Sequence, residues 1–311
     1  MNCSARLLNN NALILYEEFI MAQQGTGYGV RIGDVTIRLT SKDVPLEPHA
    51  FYKAFLIKEP QPDIDIQVHY GDIPDIRPEQ KVFDSGGVWK LDKWQGKYLF
   101  TFTSPVAGPR PYKIAIFTPD FTRGEIYLRP LGDSDQFGEI DPLEYPLDEL
   151  LMINYLSQER GIDIHACGVA LGSIGLAFTG VSGAGKSTIA NLWKSRNVKV
   201  LSDDRLILRK QEECFWVYGT PWHGDARASL PDKVPLKGLY FLKQAGDNRI
   251  VPLNPTDATT RLIVRCFPTF YHVLGMKYTL GFVAELTQAV PCYELQFTPD
   301  QRAIDEVLSH V

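Results

Sequence analysis

Residues 180–187 read Gly180-Val181-Ser182-Gly183-Ala184-Gly185-Lys186-Ser187, a full match to G-x-x-x-x-G-K-[ST], and this restricts the fold more than any other feature of the chain. The match follows the apolar run Leu176-Ala177-Phe178 and precedes Thr188-Ile189-Ala190-Asn191-Leu192-Trp193, a run compatible with a helix. Strand, glycine loop and helix in that order build a phosphate cradle. Glycines lack a Cβ, so successive backbone N–H groups can turn inward and converge at a helix N-terminus. The alternative is a glycine-rich turn with a surface lysine. A chance match arises in about one chain in 100 of this length at ordinary glycine content, and the flanking pattern lowers that further.

The ligand expected from this loop is ATP with Mg²⁺, held by Gly180 to Thr188. Lys186 would reach the β- and γ-phosphates, and the Ser187 hydroxyl would be a ligand of Mg²⁺. A second cluster follows at once, where the apolar run Val198-Lys199-Val200-Leu201 ends in Ser202-Asp203-Asp204. Beside a phosphate loop, such a strand end can deliver a carboxylate to the metal, and the pair suggests a second acid that accepts a proton. The competing reading is an Asp-Asp turn that caps a hairpin.

His165 lies in Ile164-His165-Ala166-Cys167, on a strand that leads through a turn into the strand before the loop. Sheet register decides whether it faces the phosphates or packs in the core. The loop Thr220-Pro221-Trp222-His223-Gly224-Asp225-Ala226-Arg227 carries more than turn chemistry requires. Asp225 could make a second metal contact, and Arg227 could meet phosphate charge. Arg261 and Arg265 lie four apart on a predicted helix and share a face, as a phosphate clamp or, the reading we favour, a solvated stripe.

The organisation expected is an N-terminal extension over 1–24, a β-rich domain over 25–146 and an α/β domain over 147–311. The β-rich domain rests on short runs such as 35–39, 64–68, 98–102 and 112–117, and is read as mainly antiparallel. Residues 132–146 are the predicted linker, and 147–160 the helix that opens the second domain. Further strands are expected at 165–171, 176–179, 198–201, 206–209, 214–218, 239–243 and 291–297, with helices at 186–195, 256–265 and 299–310.

Charge divides unevenly: residues 1–146 hold 15 basic and 20 acidic side chains, and the rest is neutral. Neither part has the basic excess that nucleic acid demands. Five widely spaced cysteines without a CxxC pair fit reduced thiols. The longest apolar stretch, 168–181, is broken by Gly172-Ser173-Ile174-Gly175 and is too short for a bilayer. No export signal is read, so a cytoplasmic protein without a membrane partner is expected.

The helix at 147–160, His165-Ala166-Cys167-Gly168-Val169, the phosphate loop and Ser202-Asp203-Asp204 together resemble the catalytic domain of HPr kinase/phosphorylase. Pro221-Trp222-His223-Gly224 is similar to HPr-kinase-like relatives, and the likeness covers 147–227. It implies an α/β fold related to phosphoenolpyruvate carboxykinase, with a mixed sheet, and ATP-dependent transfer to a serine hydroxyl of a peptide or protein. His165, Lys186 and one of Asp203 and Asp204 match the family's catalytic positions. Ser187 matches its magnesium ligand, and Asp225 stands near its second metal-binding acid. Some relatives accompany lasso-peptide enzymes and phosphorylate a precursor peptide, and relatives often form homo-oligomers. The chain departs from the HPr enzymes in carrying Thr188 where they have an acid, which argues against HPr itself as acceptor. A small-molecule hydroxyl kinase and an ATP-responsive binding module without catalysis are the alternatives.

Overall fold

The computed structural model of the chain describes residues 27–42, 44–58, 60–129 and 141–311. The predicted extension, 1–24, and most of the predicted linker, 132–140, lie outside them. The described residues form two mixed sheets and five α-helices. By contacts they divide into two compact units. One comprises residues up to Val30, Thr36–Ala50 and Leu56–Glu144; the other comprises Arg31–Val35, Phe51–Phe55 and Tyr145–Val311.

The first sheet has nine strands: β1 (Gly27–Ile32), β2 (Val35–Ser41), β3 (Leu56–Ile57), β4 (Ile64–Tyr70), β5 (Gln80–Asp84), β6 (Trp89–Trp94), β7 (Lys97–Phe102), β8 (Lys113–Phe117) and β9 (Arg123–Leu128). Their order is β3-β1-β2-β4-β9-β8-β7-β6-β5. Alternation sets the buried face, with Ile64, Ile66 and Val68 buried and Asp65 and Gln67 between them partly exposed. The antiparallel expectation needs correcting at its centre, where β2, β4 and β9 run parallel. A period-2 pattern is the same for either direction. The chain between β2 and β4, and between β4 and β9, is long enough for a parallel return.

The second unit contains α1 (Leu147–Leu156), β10 (Ile162–Leu171), β11 (Ile174–Thr179), α2 (Lys186–Lys194), β12 (Lys199–Ser202), β13 (Arg205–Gln211), β14 (Cys214–Tyr218), β15 (Lys233–Gln244), β16 (Arg249–Pro252), α3 (Pro255–Ile263), α4 (Val273–Ala289), β17 (Cys292–Phe297) and α5 (Arg302–Leu308). Its sheet runs β11-β10-β13-β14-β15-β17-β16; β12 pairs with β10, and β11 also pairs with β15 in parallel. Two apolar clusters form the core. One joins Ala258 and Leu262 of α3 and Phe282, Val283 and Leu286 of α4 to strand residues such as Ala166 and Leu239. The other joins Ile189, Ala190 and Trp193 of α2 and Ala303, Ile304 and Val307 of α5 to Cys167, Phe178 and Tyr240.

The sequence pattern misses α4, the 17-residue helix. Val273, Leu274 and Leu280 are exposed while Phe282, Val283 and Leu286 are buried, so apolar residues fall on both faces and the 3.6-residue period is blurred. No helix of the described residues is long and apolar enough to cross a membrane.

Candidate functional site

A cleft of about 460 Å³ opens beyond the end of β11, lined by His165, Ser182, Gly183, Gly185, Lys186, Ser187, Thr188, Asp203, Asp204, Gly224, Asp225 and Gln244. Sheet register brings these together. On β10, Ala166 stands opposite Thr179, the last residue of β11, while His165 stands opposite Arg205, the first residue of β13. His165 therefore sits where the strand entering the glycine loop meets the strand leaving the paired acids. The Thr179 hydroxyl donates to the His165 carbonyl at 2.8 Å and ties the two strand ends.

The loop turns into α2 at Gly185, whose φ of 105° is left-handed, and a Cβ there would stand 2.7 Å from the Phe297 ring. Only glycine fits that position. No side chain caps α2, so its first-turn amides keep the positive character that suits an anion. The Lys186 ammonium, almost buried, donates to the Gly180 and Val181 carbonyls at 3.3 and 3.4 Å. Burial lowers its pKa, and Asp204 opposes that effect. From the end of β15, Gln244 Nε2 donates to the Gly183 carbonyl at 2.9 Å and braces the loop. Gly180 and Ala184 are buried and Val181 is exposed, so these three frame the loop without lining the cleft.

The two adjacent acids have different surroundings. Asp203, 2% exposed, accepts three main-chain N–H groups: Oδ1 from Gly224 at 3.1 Å and Ala228 at 2.9 Å, and Oδ2 from Ala226 at 2.8 Å. It thereby holds the 224–228 turn against the cleft. A Cβ on Gly224 would come within 2.9 Å of Asp203 Oδ2, so that turn also depends on a glycine. The hairpin alternative for the acids does not occur, because β12 and β13 each pair with β10.

Asp204 is shared between His165 and Arg205. Its Oδ1 lies 3.1 Å from His165 Nε2, and its Oδ2 accepts from Arg205 Nη1 at 2.6 Å. Burial would raise its pKa, but the His165 hydrogen bond, Arg205 and Lys186 outweigh burial and hold it below the usual carboxylate value. Arg205 is fixed in turn, donating from Nε to Glu149 Oε1 at 2.7 Å and lying 4.0 Å over the Phe267 ring. Glu149, Arg205 and Gln244 carry no motif in the sequence. They enter only through tertiary contacts.

The loop after β14 divides its roles as well. Trp222 is buried, and its Nε1 donates to Asp148 Oδ2 at 2.5 Å, an anchor to the start of α1. His223 is exposed and lies beside Phe51, with ring centres 5.2 Å apart. Asp225 is exposed and lines the cleft, whereas Arg227 is exposed, has a φ of 50° and does not line it.

No group of three or more His, Cys, Asp and Glu among the described residues is arranged to hold a metal by itself. A Mg²⁺ ion carried on nucleotide phosphates needs only one or two protein oxygens. Ser187, Asp203 and Asp225 all line this cleft and would be the oxygens available for that, so the residues present fit Mg-ATP.

No family model matches the chain, and no curated protein matches it. Among solved structures, the chain is similar to the HPr(Ser) kinase/phosphatase from Coxiella burnetii at 14% identity, over 48% of this chain and 95% of that one, with a TM-score of 0.28. The functional reading therefore rests on the residues of the cleft.

Proposed function

We propose that this chain is an ATP-dependent kinase that transfers the γ-phosphoryl group to a hydroxyl, with serine of a peptide or protein as the acceptor class. One observation carries the reading: the carboxylate of Asp204, 3.1 Å from His165 Nε2, shares a cleft with Lys186 and Ser187 of an uncapped helix N-terminus. The resemblance of 147–227 to HPr-kinase-like domains supports serine as acceptor.

On this reading the loop amides bind the phosphates and Lys186 turns from the Gly180 and Val181 carbonyls to the transferred group. Mg²⁺, held by Ser187 with Asp203 and Asp225, would neutralise phosphate charge. The acceptor oxygen bonds to the γ-phosphorus as the bond to the bridging oxygen of ADP breaks, and the hydroxyl proton passes to a free lone pair of Asp204. His165 and Arg205 orient that carboxylate. Phosphoryl transfer is loose, so the proton moves late and a carboxylate of low pKa suffices.

The test is incubation with Mg-ATP and serine-containing peptides or a metabolite mixture, read by mass spectrometry. A phosphorylated product that vanishes with Asp204→Asn supports the reading, and its mass separates a peptide acceptor from a small molecule. Tight ATP binding with no acceptor labelled in any cell extract would defeat it.

A further inference from the structure

The first unit holds a further cleft, of about 650 Å³, that no step of the proposed reaction uses. Register builds its floor. On one face of the sheet Asp92 of β6 stands opposite Leu99 of β7, and Thr101 of β7 stands opposite Ile114 of β8. The chain between β4 and β5 crosses this face, from Gly71, which donates to the Leu128 carbonyl, to Glu79, which donates to that of Lys93. On the way Ile73 and Ile76 pack against Leu99 and Ile114. The space left beside them has apolar walls and a few polar groups, at the size of a ligand site.

One of those groups lacks what burial demands. Asp92 is 9% exposed, lines the cleft and makes no hydrogen bond or ion pair among the described residues. Lys81, its partner across β5, and Lys90, two residues before it, both pair with Asp84 instead, at 3.0 and 3.7 Å. Burial raises the Asp92 pKa. A buried carboxyl without a donor is costly, and a cation entering the cleft removes that cost.

The rest of the lining indicates what carries the cation. Ile73, Ile76, Leu99 and Ile114 suit an aliphatic stem. Arg129 donates from Nε to the Pro111 carbonyl at 2.7 Å and from Nη2 to the Ala107 and Arg110 carbonyls, which leaves Nη1 without a partner among the described residues. A cationic head, an aliphatic stem and a main-chain carbonyl therefore find Asp92, an apolar wall and a free donor. Charge agrees: residues 1–146 hold 20 acidic and 15 basic side chains, and Asp72 and Asp75 stand exposed on the rim without ion pairs among the described residues.

We propose that this cleft docks a basic peptide segment, with an arginine or lysine side chain running over the apolar wall to Asp92 and a main-chain carbonyl held by Arg129. The choice of a peptide as the carrier rests on the kinase reading above.

Fluorescence anisotropy of the full chain with a labelled peptide, Ala-Leu-Arg-Leu-Ser-Ala, and with the same peptide carrying citrulline for arginine, tests this without nucleotide. Citrulline keeps the shape and loses the charge, so binding weakens about 10-fold or more. Asp92→Asn weakens the arginine peptide by the same factor and leaves the citrulline peptide within about two-fold. It does not lower the melting temperature, because it removes an unpaired buried carboxyl; a structural Asp92 would lower the melting temperature and leave the peptide preference intact. Equal affinity for the two peptides, or no saturable binding of either up to about 1 mM, overturns the docking site and leaves the kinase reading standing. Free arginine that displaces the peptide as well as unlabelled peptide does overturns the peptide as occupant. Arginine-dependent binding with no peptide phosphorylated by Mg-ATP retains the docking site and counts against the kinase. Should Asp92→Asn not fold, Asp75→Lys on the exposed rim replaces it, and unchanged affinity for the arginine peptide there overturns the site.

Discussion

His165 Nε2 lies 3.1 Å from Asp204 Oδ1, a contact set by the pairing of His165 with Arg205 across β10 and β13. It fixes one oxygen of the candidate base, and Arg205 fixes the other. Because the folded-state pKa of Asp204 is lowered, its stabilising contribution is present above the ordinary value of 3.8 and is lost only as pH falls through the lower folded value. Asp204 therefore stays ionised from pH 5 to 8 and does not shape the rate profile there. Asp204→Asn is expected to reduce transfer by about 100-fold or more while nucleotide affinity persists, as checked by phosphopeptide yield and calorimetry.

Asp203→Asn should act on stability. An amide presents one acceptor oxygen where the carboxylate presents two, and three amides of the 224–228 turn need them. The expected loss is about 1–3 kcal/mol, seen as a lower midpoint in urea unfolding and faster amide exchange at Gly224, Ala226 and Ala228. Asp204→Asn, lacking those contacts, should leave that exchange unchanged.

Lys186→Ala removes the ammonium that lies in the loop against the Gly180 and Val181 carbonyls. Loss of one preorganised donor to the transferred group is expected to lower turnover by about 100-fold or more. Near-wild-type steady-state rates would count against the assignment of the loop.

Asp148 provides a pH signature of the fold itself. Burial raises its pKa to about 6, although Trp222, the Glu149 amide and Tyr52 all donate to it. The folded state then holds a proton that the unfolded chain releases near 3.8, so stability falls as pH rises from about 4 to about 6 and levels off above. The amplitude is at most about 3 kcal/mol. Asp148→Asn, whose oxygen can still accept from Tyr52 and Trp222, should flatten this part of the curve of melting temperature against pH.

What the sequence determined alone was local. A strand, a glycine loop with Lys186 and Ser187, and a helix are contiguous, and so is the run 198–201 that ends in Ser202-Asp203-Asp204; chain connectivity places them whatever the rest does. Tertiary structure decided the pairings. Register put His165 beside Asp204, and a one-residue slip would have turned it to the opposite face. The fold-back of 224–228 gave Asp203 three main-chain amides to hold and gave Asp204 none of them, a distinction invisible between identical adjacent residues. The same holds for Arg261 and Arg265, equivalent by helical spacing but separated by Glu294, which reaches only the first. Parallel pairing in the first sheet and the helix α4 escaped for the related reason that strand direction and a two-faced apolar helix leave no distinguishing period in the chain. Hydrophobic patterning specifies which faces are buried, and only long-range hydrogen bonding specifies what each face meets.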